Sequence, residues 1–314
     1  MRLALVGLGI GMAVFASIGC HSGSDNAAPA SANPEAASHA SAQKPEVAPS
    51  VGAHAGGFVG FDRNDYPGDD TMDTLRHSFA FTGYWLTNPP GENANSWVGK
   101  RELLRGQGWG FLVLADGRLD AEILKSQKAG TSPATLAQKD AAVAIAAAKS
   151  EGFPAHTILF LDQEEGGLLL DEQAAYLLAW TQAVAASKYI PGVYASGQPV
   201  ENGPGQTITT IEDIRSRVIS QHLHPVAMFD AQDACPPAPG CTVNAKPLST
   251  SGELTLSPGG ELVAWQYSQS PRRPELTRAC AKTYAADGNC YAPGAPATFL
   301  DMDLASSPDP SHGR

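Results

Sequence analysis

From Phe58 onward, short apolar runs alternate with longer stretches of helical periodicity. Short apolar runs separated by helical stretches are typical of buried strands joined by helices. The pattern predicts strands at 58–62, 81–86, 110–115, 158–164, 192–195, 225–229, 262–267 and 299–303. The segments between these predicted strands are long enough to contain helices that connect one strand to the next.

The clearest predicted helix lies between the third and fourth strands. Ser132 can cap it, Pro133 suits its first turn, and Gly152 follows its last basic residue, Lys149. The remaining helices are predicted at 69–78, 96–107, 171–188 and 208–221.

Five crossover helices among eight strands predict a TIM-like (β/α)5β3 barrel, an α/β fold whose final third has lost its helices. A doubly wound open sheet is the competing arrangement, because it shows the same alternation of strands and helices. We expect one folded domain over 58–304, followed by a flexible tail at 305–314.

The first twenty residues have the pattern of an export signal. Arg2 precedes an apolar run, Leu3 to Ile18, that is shorter than the roughly 20 residues needed to span a bilayer. Its end, Ser17-Ile18-Gly19-Cys20, resembles a bacterial lipobox, which implies lipidation of Cys20. The alternative is ordinary signal cleavage nearby, with Cys20 discarded.

Residues 21–57 are rich in Ala, Ser and Pro and contain no aromatic residue. Such a segment cannot bury enough apolar surface to fold, so we expect a disordered tether. The chain is therefore expected to be an exported lipoprotein of the cell envelope, on the periplasmic or extracellular face, in contact with a membrane through its N-terminal lipid.

Composition narrows the possible partners. The chain has 314 residues, with 43% hydrophobic and 17% charged residues, which suits a globular core, and its net charge is −11. That charge disfavours nucleic acid and anionic membrane surfaces. A neutral polysaccharide is compatible with it, and we expect the protein to be a monomer.

The four cysteines beyond Cys20 form two close pairs in Pro/Gly-rich stretches. This spacing predicts the local disulfides Cys235–Cys241 and Cys280–Cys290, which form in oxidising compartments. The spacing is not that of a zinc knuckle, and the histidines at 222 and 224 lack a third ligand, so we expect neither a metal nor another cofactor.

Acidic residues stand at the ends of three predicted strands. Asp62 closes the first, Asp162 and Glu164 close the fourth, and Asp301 and Asp303 close the last. The carboxyl ends of barrel strands converge on one face, where active sites lie. Paired carboxylates are what glycoside cleavage requires. The alternative for each acid taken alone is a cap on the next helix.

The alternation of side chains along a strand separates the acids of the fourth strand. Asp162 and Glu164 share one side, while Gln163 points away. Glu165 belongs to the opposite set, and we expect it to be solvated or to cap a helix.

Several short segments follow one another along the chain: Gly60-Phe61-Asp62 with Gly68, Phe160-Leu161-Asp162-Gln163-Glu164, Pro191-Gly192-Val193-Tyr194-Ala195-Ser196, Trp265-Gln266-Tyr267 and Leu300-Asp301-Met302-Asp303. Their residues and their order resemble those of glycoside hydrolase family 25, the lysozyme-type muramidases. The chain is still more similar to a related bacterial family of glycoside-hydrolase-like domains of unknown function, which shares the turn Gly152-Phe153-Pro154.

The resemblance implies a role for each acid. Glu164 would be the general acid, Asp162 would orient an acetamide or stabilise charge, and Asp62 and Asp301 would complete the acidic floor. Asp303 stands where the muramidases usually carry Asn.

Aromatic residues near the same strand ends could stack against sugar rings. The candidates are Tyr84, Trp85, Tyr194, Trp265 and Tyr267. The alternative is that they belong to the core. Trp265 and Tyr267 share one face of their strand, so both are expected to be in the site or both outside it.

We interpret the chain as an envelope-tethered glycoside hydrolase-like protein that acts on cell-wall glycan of the peptidoglycan type by carboxylate acid catalysis. The first alternative is a non-catalytic glycan-binding module on the same barrel. It is favoured by the stretch 84–89, at the end of the second predicted strand, which lacks the Lys and Glu-Gly of the muramidases. The second alternative is a structural envelope anchor with a vestigial cleft.

Overall fold

A computed structural model describes residues 53–54, 57–233, 241, 261–274 and 284–314. They fall within one compact unit, Ala48–Arg314. Several predicted features lie outside the described residues: the signal segment, the lipidation of Cys20, most of the tether, and the cysteines Cys235 and Cys280. Within the described ranges, no helix is both long enough and apolar enough to cross a membrane.

The described residues contain eight strands that close into a barrel. The strands are β1 (Gly57–Asp62), β2 (Phe81–Trp85), β3 (Gly110–Asp116), β4 (Ile158–Gln163), β5 (Ile190–Ser196), β6 (Ala227–Ala231), β7 (Leu262–Ser268) and β8 (Asp301–Ala305). From β1 to β7, neighbouring strands are parallel, whereas β8 lies antiparallel between β7 and β1. Closure excludes the open sheet, and the reversed last strand departs from an all-parallel barrel.

Helices cover the outside of the barrel. They are α1 (Asp69–Leu75), α2 (Arg101–Gly106), α3 (Asp120–Lys128), α4 (Pro133–Ser150), α5 (Asp171–Ala185) and α6 (Thr210–Ser220). In α4 the Ser132 hydroxyl accepts a hydrogen bond from the Thr135 N–H at 3.2 Å, as the capping pattern predicts. The sequence pattern does not predict α3, because Ile123 is the one buried residue of this helix and its apolar periodicity is therefore weak.

Among the described residues, three short antiparallel strand pairings accompany the barrel. Ala53–His54 extends the sheet beside β1, Val200–Glu201 pairs with Thr207–Ile208, and Tyr291–Ala292 pairs with Ala295–Phe299.

The alternation of side chains fills the barrel interior with aromatic rings below its carboxyl end. The Phe81 ring occupies the space that a side chain at Gly60 would need, and the Phe160 ring does the same at Gly192. Phe229 packs edge-on against Phe160, with ring centroids 6.0 Å apart. Among the described residues, the interior is therefore filled by aromatic rings below the carboxyl ends of the strands.

The last residues correct the expectation of a flexible tail at 305–314. Ala305 is the last residue of β8, and the backbone of Ser311 bridges β3 and β4 by donating to the Phe111 carbonyl at 2.8 Å and accepting from the Ile158 N–H at 2.9 Å. The Asp309 carboxylate accepts from the Phe111 N–H at 2.9 Å. These bonds satisfy backbone groups at the start of the two strands, which explains the order of the segment.

The disulfide of the described residues corrects both predicted pairings. Cys241 is bonded to Cys290, with a Cα–Cα distance of 5.5 Å and a sequence separation of 49. The separation along the chain favours local pairs, but the barrel brings residue 241 beside the segment that precedes β8. The Tyr267 hydroxyl donates to the Cys241 carbonyl at 3.1 Å in the same region. The pairs Cys235–Cys241 and Cys280–Cys290 are therefore wrong.

Candidate functional site

Four of the predicted acids meet at the carboxyl end of the barrel. Asp62, Asp162, Glu164 and Asp301 line one cavity of about 60 Å³. Its other lining residues are Asn64, Trp85, Leu114, Tyr194, Phe229, Gln266 and Gln269. The sequence-predicted carboxylates thus belong to a single site, although they come from three strands far apart in the chain.

The direction of β8 decides which of its acids faces the cavity. In the antiparallel register, Asp301 lies opposite Asp62, whereas Asp303 lies opposite Gly60. Asp301 therefore begins β8 at the cavity, and Asp303 lies one layer deeper. This corrects the expectation that both acids close the strand at the barrel mouth, because that expectation assumed a parallel strand.

A glutamine on β7 organises the floor of the cavity. The Gln266 amide donates to Asp62 Oδ2 at 2.8 Å, and its carbonyl accepts from the Tyr194 hydroxyl at 2.8 Å and from the Gln269 amide at 2.9 Å. The Asp301 carboxylate accepts from the Ser270 N–H at 2.6 Å. These bonds hold both aspartates in place before any ligand arrives.

Gly83 on β2 leaves space for the side chain of Asp62. A Cβ at Gly83 would lie 2.6 Å from the Asp62 Cβ, well inside van der Waals contact. The absent side chain on β2 therefore lets the Asp62 carboxylate occupy the strand end.

Exposure distinguishes one acid from the others. Asp62 and Asp162 are 7% and 5% exposed, whereas Glu164 is an exposed residue just beyond β4. Of these three acids, Glu164 is thus the one that an arriving ligand can reach most easily.

The crowding of buried carboxyl groups raises their pKa values. Burial raises the pKa of Asp62 to about 6, against the opposing effect of the Gln266 hydrogen bond. Burial raises the pKa values of Asp162 and Asp301 well above the usual range, and the neighbouring acids add to the effect. Desolvation in the cleft also raises the pKa of Glu164, while Arg273 opposes the rise.

Two further cavities adjoin the acids and enlarge the site into a cleft. One of about 390 Å³ shares Asp162 and Glu164 with the central cavity. Another of about 250 Å³ shares Asn64 and Asp301 with it. A ligand several residues long could therefore extend beyond the acids.

Asp116 also belongs to the site, although the predicted strand pattern does not indicate it. It ends β3, lies opposite Asp162 in the sheet register and lines the 390 Å³ cavity. Burial, reinforced by Glu122 and opposed by Arg118, raises the pKa of Asp116 to about 7. The signal was present, because one more residue in the predicted third strand would have placed an acid at its end. Gln266 was also missed, since an uncharged residue gives no comparable signal.

The five predicted aromatic residues separate into two groups. Trp85 and Tyr194 line the acidic cavity, and the Trp85 indole donates to the Arg63 carbonyl at 3.1 Å. Tyr84 instead packs edge-on against Phe153 outside the barrel, and its hydroxyl donates to the Glu151 carboxylate at 2.6 Å.

Trp265 and Tyr267 are both fully buried. Because Gln266 points into the barrel, its two neighbours point outward, where the Trp265 indole donates to the Gln232 carbonyl at 3.0 Å. Tyr84, Trp265 and Tyr267 therefore offer no surface to a ligand, and the expected sugar-stacking role is corrected to core packing.

Glu165 has the helix-capping position expected of it. Its carboxylate accepts from the Asp120 N–H, at the start of α3, at 2.6 Å and from the Gln173 amide at 2.7 Å. The two adjacent glutamates thus have different surroundings. In the part of the chain that the structure describes, no group of three or more His, Cys, Asp or Glu side chains is placed to hold a metal ion.

The described residues thus form a closed α/β barrel with carboxyl groups gathered at the carboxyl ends of its strands, an arrangement also found in glycoside hydrolases. Residues 87–233 match the family described as Rv2525c-like, glycoside hydrolase-like domain. The resemblance expected from the sequence is therefore confirmed. No curated protein matches the chain.

Several solved structures are similar to the chain. An uncharacterized B. stearothermophilus protein is 18% identical, with a TM-score of 0.48, over 79% of this chain and 95% of that one. The Mycobacterium tuberculosis Tat-secreted protein Rv2525c, in complex with L-tartrate, is 10% identical, with a TM-score of 0.47, over 81% and 97%. The catalytic domain of endolysin ply40 from Listeria monocytogenes bacteriophage P40 is 14% identical, with a TM-score of 0.41, over 80% and 94%.

Proposed function

We propose that this protein binds cell-wall glycan of the peptidoglycan type in the acidic cleft and cleaves it with Glu164 as the general acid. The observation that carries the proposal is the placement of an exposed Glu164 beside the buried carboxyl groups of Asp62 and Asp162 and the half-buried Asp301. The choice of glycan follows the resemblance of the strand-end motifs to the muramidases.

The electrostatics favour a protonated Glu164 when substrate arrives. A general acid must carry its proton near the working pH, and the cleft raises the pKa of Glu164 in the required direction. In the proposed step the Glu164 proton passes to the leaving glycosidic oxygen as the C–O bond breaks. The acetamide of the sugar itself, held in place by a hydrogen bond to Asp162, stabilises the developing cation, and water then completes hydrolysis.

The walls of the cleft suit a sugar. Trp85 and Tyr194 flank the acids, and the adjoining cavities of about 390 and 250 Å³ provide room for neighbouring sugars. Aromatic faces beside hydrogen-bonding carboxyl and amide groups match the apolar and hydroxyl surfaces of a pyranose ring.

A glycan-binding module without catalysis is the second candidate. The observation that favours it is the small central cavity, about 60 Å³, against the several hundred Å³ of an ordinary ligand pocket. On this alternative, the adjoining cavities hold the glycan and the bond never reaches Glu164.

Digestion of purified peptidoglycan by the mature chain separates the two candidates. Glu164→Gln keeps the shape of the side chain but cannot donate a proton, so turnover should fall by about 10²-fold or more while binding persists. Glu165→Gln is the matched control, because Glu165 caps α3 and should leave turnover within a few-fold of wild type.

Binding of the glycan by wild type with no released fragments would instead support the binding module. Full turnover in Glu164→Gln would place the chemistry on other residues.

We also infer export and attachment to a membrane through a lipid on Cys20. The Cys241–Cys290 disulfide supports export, because disulfides persist in oxidising compartments. Cys20→Ser should move the protein from the membrane fraction to the soluble fraction. Equal distribution of the wild type and the variant would contradict the lipid anchor.

A further inference from the structure

Phe299 is an exposed aromatic residue at the edge of the acidic cleft. It is 40% exposed and ends the short strand Ala295–Phe299, just before Asp301 in the chain. Phe299 lines the cavity of about 250 Å³ that shares Asn64 and Asp301 with the central cavity. Single exposed apolar residues are common on proteins, so the surroundings of Phe299 decide whether it has a function.

Two contacts hold the Phe299 ring in place. The Tyr291 ring, on the paired strand of the same hairpin, is perpendicular to it, with ring centroids 6.4 Å apart. The Arg63 guanidinium carbon lies 5.6 Å from the centroid of the Phe299 ring, and Arg63 Nη1 donates to the Phe299 carbonyl at 3.3 Å. The ring is therefore positioned before a ligand arrives, which reduces the conformational entropy that binding would cost.

The cavity beside Phe299 combines this ring with hydrogen-bonding groups. Its other lining residues are Arg63, Asn64, Asp65, Glu92, Ser270 and Asp301. A pyranose ring has apolar C–H faces and a rim of hydroxyl groups, so an aromatic ring among amide, hydroxyl and carboxyl groups matches both surfaces. A volume of about 250 Å³ is less than that of an ordinary pocket for a separate ligand, and it suits one ring of a longer ligand.

The surroundings of Phe299 also favour a sugar over a protein partner. In the described ranges, none of the other large hydrophobic residues that are exposed lines this cavity. A protein interface would be expected to present a contiguous apolar patch of several hundred Å². A single ring surrounded by polar groups does not form such a patch.

We propose that Phe299 stacks against one sugar ring of the bound glycan, and that the 250 Å³ cavity is a sugar subsite beside the acids. The proposal rests on the proposed function in taking a glycan as the ligand, but it does not require cleavage. Phe299 is then a binding residue that sets the affinity for the sugar next to Asp301.

The dependence of affinity on glycan length tests the stacking. The probes are soluble, peptide-free strands of alternating N-acetylglucosamine and N-acetylmuramic acid, from two to six sugars long, and binding is measured by calorimetry. Each protein also carries Glu164→Gln, so that cleavage cannot shorten the probes. In this parent protein the affinity should rise when a strand becomes long enough to reach the cavity. Phe299→Ala should remove that rise and weaken binding of the longest strand about tenfold, with the shortest strand unaffected.

Rescue and control variants separate stacking from a general disturbance of the cleft. Phe299→Tyr and Phe299→Trp keep an aromatic face and should retain the affinity of the parent within a few-fold. Ile219→Ala is the matched control, because Ile219 is also exposed but lies on α6 and lines a different cavity. Its affinity should equal that of the parent for strands of every length. Because Phe299 is exposed, the Tm of Phe299→Ala should stay close to that of the parent, which shows that the variant is folded.

Nuclear magnetic resonance gives a second readout of the same contact. Sugar C–H protons that lie over an aromatic ring shift upfield, and the part of this shift that depends on Phe299 should disappear in Phe299→Ala.

Equal affinities of Phe299→Ala and the parent for strands of every length would overturn the proposal, as would an equal loss in the Ala, Tyr and Trp variants. Binding that depends on Phe299, in a protein whose wild type releases no fragments, would support this proposal and count against the proposed cleavage alone.

Discussion

The C-terminal segment should be a structural part of the barrel, and Ser311→Ala tests this most directly. Ser311 is 0% exposed, and its hydroxyl oxygen accepts from the Val113 N–H at 2.9 Å. Alanine preserves the backbone bonds of residue 311 but removes that acceptor. The Val113 N–H in β3 would then be buried without a partner.

The structure sets the size of the effect. Leaving one buried backbone donor unsatisfied costs about 1–3 kcal/mol. In a domain of this size each kcal/mol lowers Tm by about 2–4 °C, so a decrease of roughly 2–12 °C is expected. Deletion of 306–314 would also remove the partners of the Phe111 N–H, the Phe111 carbonyl and the Ile158 N–H. The combined cost, on the order of 4–12 kcal/mol, is comparable to the whole stability of an ordinary domain.

Calorimetry of the purified variants measures these differences. Ser307→Ala is the matched control, since its hydroxyl accepts from the Asp309 N–H within the same part-buried turn and its loss should cost less. A Tm of Ser311→Ala equal to that of wild type would refute the reasoning. So would a chain lacking 306–314 that unfolds at the wild-type temperature.

Three further outcomes follow from the site and its supports. In the folded state Asp62 keeps its proton up to about pH 6, whereas the unfolded chain loses it near pH 3.8. The free energy of unfolding should therefore fall by about 3 kcal/mol as the pH rises across that interval. Asp62→Asn should flatten this fall in a pH series of denaturant titrations. Trp85→Ala should weaken glycan binding in a pull-down assay, whereas Trp265→Phe, at a buried position outside the cavity, should not. Peptide mapping without reduction should recover Cys241 linked to Cys290, and a different partner for Cys241 would contradict the structure.

Local patterns predicted the barrel elements because each strand and most helices carry their own signal. The apolar run at 158–164 corresponds to β4 (Ile158–Gln163), and the Ser132 cap marks the start of α4. The helix α3 was missed because a helix anchored by Ile123 alone owes its place to neighbouring elements rather than to its own periodicity.

The candidate site was predictable where the alternation along one strand was sufficient. Asp162 and Glu164 share a face, and Glu165 points elsewhere, as expected. The same rule could not tell which face of β7 lies inside the barrel. That choice depends on Gln266 meeting Asp62, a contact between residues 204 positions apart in the chain.

The sequence by itself determined the strand and helix pattern, the acidic strand ends and the membership of each side chain in one of two faces, because these depend on neighbouring residues. Tertiary structure alone decided the direction of β8, which brings Asp301 to the cavity and leaves Asp303 beneath Asp62. It also decided the partner of Cys241. The physical reason is the same in each case: these features arise where distant segments pack together, and no local preference distinguishes one packing from another.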